Sequence, residues 1–144
     1  MIQRDTIKLL RECDAGVRMG MASIADVEGR VHACTLRQKL LNCSAEHEKL
    51  GGEIRRQLYK YRDKGKAPSP VARQMSRMMT GMKLAVHPSD RTVADLMTDG
   101  CNMGVKSLNR YLNQYTAADE RSKDIAKRLI HLEQQLTADI RDYL

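Results

Sequence analysis

LLRECDAGVRMGMASIADV (residues 9–27) decides how the rest of the chain reads. Leu10, Cys13, Val17, Met21 and Ile24 recur at spacings of three and four, which marks a helix with one buried stripe. With Ile7 the stripe begins a turn earlier, so a helix is expected over about residues 5–28, capped by Gly29. The hexapeptide CDAGVR (13–18) inside it returns almost intact as CNMGVK (101–106).

Working outward, the connector GRVHAC (29–34) is short, so the next helix should fold back beside the first. That second helix is expected over about 35–62, with Leu36, Leu40, Cys43, His47, Leu50, Ile54, Leu58 and Tyr61 on one face. DKGKAPSP (63–70) is the clearest break. A short helix over about 70–86 follows, with Val71, Met75, Met78, Met79 and Met82 along one side. HPSD (87–90) supplies Ser89 or Asp90 as cap for a fourth helix over about 91–115, striped by Val93, Met97, Cys101, Val105, Leu108, Leu112 and Tyr115. After TAAD (116–119), a fifth helix over about 119–143 buries Ile125, Leu129, Leu132, Leu136, Ile140 and Tyr143.

No segment alternates as a strand does, so the class is all-α: two helical hairpins, joined by a long crossover that carries a short helix. The repeated hexapeptide sits in the first helix of each hairpin. Measured from the hairpin turns, its two copies should lie at matching heights, as after an internal duplication. Gly16 and Gly20, and Gly100 and Gly104, repeat a spacing that lets helix backbones approach closely.

At 144 residues one domain is expected, with a core that needs no staple. Phe and Trp are absent, so nine Met share the interior with Leu, Ile, Val and Ala. No apolar run approaches the roughly 20 residues of a membrane span, and residues 1–5 lack a signal-peptide core, so a cytoplasmic protein with four reduced Cys is expected. The net charge of +7 is uneven. RRQLYKYRDKGK (55–66) holds Arg55, Arg56, Lys60, Arg62, Lys64 and Lys66, a candidate for nucleic acid or an anionic surface, though a solvated helix end explains it more simply.

Together with the first stretch, LRQKLLNCSAEHEKLGGEI (36–54) and LMTDGCNMGVKSLNRYL (96–112) resemble an uncharacterised bacterial family of ferritin-like proteins related to the rubrerythrins. The resemblance covers nearly the whole chain in helix order and length. It implies a ferritin-like four-helix bundle. Rubrerythrin-like enzymes hold two irons with a Glu from the first helix of each hairpin and a Glu-x-x-His from each second helix. Here Cys13 and Cys101 fall at or near the lone-Glu positions, Ser44 precedes His47, and Arg128 precedes His131. An Arg there would repel iron, so di-iron oxidase or peroxidase activity is not expected.

His47, Cys13 and Cys101 lie within apolar stripes, and at similar heights they would suit mononuclear Zn or Fe. His131 points away from the face formed by Leu129, Leu132 and Leu136, and Glu133 flanks that face. The reading preferred over metal takes Cys13, Cys43 and Cys101 as small core residues and His47 as a hydrogen-bonded core histidine. The Met stripe is expected to pack on its own bundle; left uncovered, it would be a dimer contact. The function expected is therefore non-enzymatic, by homo-oligomerisation or partner binding, with no cofactor required.

Overall fold

The computed structural model describes residues 1–144. Its elements are helices α1 (Ile2–Glu28), α2 (Cys34–Tyr59), α3 (Pro70–Val86), α4 (Asp90–Gln114) and α5 (Glu120–Ile140), then a 3-10 turn over Arg141–Tyr143; there is no strand.

Local chemistry sets the helix ends. Ser69, Ser89 and Asp119 each accept a backbone N–H three residues on, from Ala72, Thr92 and Ser122, which satisfies one orphan donor per helix. Pro70 opens α3, where its missing N–H costs nothing. α2 stops three residues before the expected Arg62. There the Arg62 amide donates to Tyr59 O (2.9 Å) and the Asp63 amide to Leu58 O (3.1 Å), with Arg62 at φ 56°. That is a Schellman closure with arginine in the left-handed position glycine usually takes.

Four helices bury their apolar stripes against one another in two clusters. One joins the N-terminal half of α1 (Leu9, Leu10, Cys13, Val17) to the C-terminal half of α2 (Leu50, Ile54, Leu58), Leu108 of α4 and the N-terminal half of α5 (Ile125, Leu129). The other joins Ile24 and Val27 of α1, Leu36 and Leu40 of α2, Val93, Met97 and Cys101 of α4, and Leu136 and Ile140 of α5. Hence α1 and α5 run one way, and α2 and α4 the other. Since α2 and α4 are parallel, the crossover of residues 60–89 must travel the length of the bundle, carrying α3 with it.

These directions correct the expected heights. The hairpin turns lie at opposite ends of the bundle, so equal distances from them are not equal heights. Cys13 belongs to one cluster and Cys101 to the other.

Each hairpin completes the other's turn. At the start of α1, Asp5 accepts the Ala117 amide (3.0 Å) and the Thr6 hydroxyl accepts that of Asp119 (2.9 Å). At the start of α4, Asp90 accepts the amides of His32 (2.8 Å) and Ala33 (2.9 Å), capping α2 from a distant part of the chain. The start of the crossover is held by α1: Arg11 pairs with Asp63, Glu12 with Lys66, and buried Asp14 accepts the Lys66 amide (2.9 Å). Gly65, at φ 84°, passes where a Cβ would lie 2.2 Å from Asp14. Asp14 is thus the point at which the two hexapeptides diverge for a reason: its counterpart Asn102 is exposed and holds no loop.

α3 packs on α1 and α4, against expectation, with its polar side inward. The Arg73 guanidinium donates to both oxygens of Asp26 (2.7 and 2.9 Å), and Leu84 is the helix's one buried residue. Val71, Met75, Met78, Met79, Met82 and Val86 are all more than half exposed.

Candidate functional site

Between the two apolar clusters lies a buried polar layer built by all four long helices. α2 brings His47, whose place on the apolar face carries it inward until 1% of it is exposed. α5 brings Glu133, 8% exposed. The His47 Nε2 lies 2.9 Å from Glu133 Oε1, and its Nδ1 lies 2.8 Å from the carbonyl oxygen of Cys43 one turn back. A carbonyl only accepts, so Nδ1 carries hydrogen, and the raised pKa of the ring puts hydrogen on Nε2 as well. Burial alone pushes its pKa down; the Cys43 thiol, whose Sγ lies 3.5 Å from Nδ1, and the Glu133 carboxyl outweigh that and raise it to about 10.

α1 and α4 bring glycines to this layer. A Cβ on Gly20 would meet the His47 ring at 2.9 Å, and one on Gly104 would meet the Glu133 carboxyl carbon at 3.7 Å. Gly20 therefore makes room for the imidazole, not for a helix backbone as its spacing suggested. Gly16 would meet only Leu129 at 3.5 Å, and Gly100 faces open space. The pairs Asp5 and Asp90, Gly20 and Gly104, and His47 and Glu133 are separated by almost equal stretches of chain. The hexapeptides stand about one helical turn out of that register, since their alignment equates Gly16 with Gly104.

Of the residues expected to gather, His47 and Cys101 come together through Glu133, while Cys13 does not join them. The Cys101 thiol is pushed up by burial, then by Glu133 and Cys43. Burial, with Glu12 and Asp14, pushes Cys13 up to about 12. Both are neutral thiols at neutral pH. α4 thus brings to this layer both Gly104 and the Cys101 thiol. His131 is exposed as expected, and Arg128 pairs with Glu53 and Asp124. Glu133 is the residue the sequence reading left off the face. Ala126 and Ile130 are buried beside Leu129, which turns the buried arc of α5 towards it.

The basic segment is exposed throughout, at Arg55, Arg56, Lys60, Arg62, Lys64 and Lys66, with Lys66 paired to Glu12. A second cationic feature was not anticipated. A groove of about 470 Å³ between α1 and α3 is lined by Arg18, Arg73 and Arg77, with Ala22, Pro68 and Pro70 among its other walls. Arg18 pairs with Asp14 and Arg73 with Asp26, whereas Arg77 has no acidic partner.

Beside this groove the six outward apolar residues of α3 fall within an arc of about 100°. Each forgoes roughly 1–2 kcal/mol that full burial would give. The helix contains no acidic residue. No helix of the protein is long and apolar enough to cross a membrane. No family model, curated protein or solved structure matches the chain.

Proposed function

We propose that the protein is a non-catalytic bundle of ferritin-like type that docks on an anionic phospholipid surface through α3. The observation that carries this reading is the reversed amphipathicity of α3, polar side inward and apolar side outward. Such a helix, apolar on one side with Lys83 at one flank, suits the boundary between headgroups and acyl chains. Val71, Met75, Met78, Met79, Met82 and Val86 would enter that boundary. Lys83 would meet phosphates at one flank, while Arg77 and the cationic groove lie on the α1 side of the helix.

Charge favours lipid over a second copy. Two α3 helices face to face would bring the Lys83 of each to the contact with no acid on either helix. A ridge flanked by solvent suits a planar surface better than a partner's groove. The bundle centre supports a non-catalytic role, because both nitrogens of His47 are engaged within the protein. Ferritin-like character is supported by the parallel α2 and α4 with a crossover the length of the bundle.

The test is co-sedimentation with vesicles of phosphatidylglycerol in phosphatidylcholine, against phosphatidylcholine alone. The full chain should partition to the anionic vesicles and leave them as salt rises. Met78→Asp with Met79→Asp should keep the melting temperature and lower partition at least tenfold. A chain that stays in the supernatant, or a dimer abolished by the same two substitutions, would overturn the reading.

A further inference from the structure

We infer that Met75, Met78, Met79 and Met82 form an oxidation site whose modification releases α3 from the bilayer; this rests on the docking reading above. The placement of sulfur is selective. The buried stripe of α5 is built from Ile, Leu and Ala, and that of α2 largely from Leu and Ile. The one Leu of α3, Leu84, is the residue that points inward, while four thioethers point out. Leu would serve equally as an apolar contact and would not react. The four Met are 54–67% exposed, open to small oxidants as Met1 and Met103 also are, but they alone form a contiguous ridge; Met97 in the core is 6% exposed.

The chemistry needs only a peroxide. The thioether sulfur attacks one peroxide oxygen, the O–O bond breaks, a sulfur–oxygen bond forms and water leaves. Sulfur is oxidised by two electrons and the peroxide reduced by two. The product is a polar sulfoxide in place of an apolar tip. A dithiol-dependent sulfoxide reductase reverses the step, returning the thioether and water as the dithiol becomes a disulfide. Four adjacent sulfoxides convert the contact ridge into a polar one, while Arg73–Asp26 and Leu84, on the opposite side of the helix, keep α3 on the bundle.

The experiment uses full-length chains carrying Cys34→Ser, so that the exposed thiol does not respond. One has native methionines and the other Leu at positions 75, 78, 79 and 82. Both should bind phosphatidylglycerol vesicles before treatment. After hydrogen peroxide, with oxygen addition to α3 verified by mass spectrometry, the methionine chain should lose at least tenfold in partition and the leucine chain should not change. Sulfoxide reductase should restore binding. An oxidised methionine chain that stays bound, or a leucine chain released equally, overturns the oxidation site and leaves docking intact. Failure of both untreated chains to bind overturns docking itself.

Discussion

Gly20 on α1 leaves the space that the ring of His47 on α2 occupies, since a Cβ there would stand 2.9 Å from Nε2. The obstacle is a buried ring hydrogen-bonded at both nitrogens, so it cannot swing aside. Gly20→Ala should therefore destabilise by about 1–3 kcal/mol despite the better helix propensity of alanine. Gly100→Ala, which meets nothing, should stabilise by up to about 1 kcal/mol. Urea midpoints of the two variants, moving in opposite directions, check the assignment.

The imidazolium and the Glu133 carboxylate depend on each other. Glu133→Leu or His47→Leu alone should cost about 3–5 kcal/mol, because each leaves a buried partner uncompensated. The double substitution His47→Leu with Glu133→Leu should cost less than the sum of the singles. Equilibrium unfolding of all four chains gives the coupling; strict additivity would mean the two groups do not form a pair.

This pair also sets a pH dependence. The His47 pKa is raised in the folded protein to about 10, above the roughly 6.5 of an unfolded histidine. Its contribution is fully present below about pH 6.5, declines as pH rises and is lost through about pH 10. The melting temperature should fall across that interval, and more shallowly in His47→Leu. An NMR titration of the imidazole should show no deprotonation near neutrality.

Asp90 serves two amides on another element, His32 and Ala33. Asp90→Ala should cost about 1–2 kcal/mol, in the range of a lost N-cap. Amide hydrogen exchange should accelerate at His32 and Ala33 first. Unchanged exchange there would argue against this distant cap.

The four long helices were legible because their stripes are regular; Leu36, Leu40, Ile54, Ile125 and Leu129 are all buried where periodicity placed them. Height was not legible, because periodicity carries no direction. Cys13 and Cys101 could be aligned only by assuming that both hairpin turns lie at one end. Glu133 was missed because the face of α5 was centred on Leu132, which is half-buried, in place of Ala126 and Ile130, which are buried. The outward turn of α3 lay beyond the pattern for another reason. Amphipathicity shows that a helix has two sides, and the Arg73–Asp26 pair, formed with α1, decides which side is covered.

Because Asp5 and Thr6 serve the bend at 117–119 while Asp90 serves the bend at 32–33, neither half of the chain holds what it needs to finish itself. A single hairpin released by cleavage in the crossover would keep bare amides at its bend and half of an apolar surface. The two pieces should be disordered apart and recombine when mixed, so that order arrives in both at once.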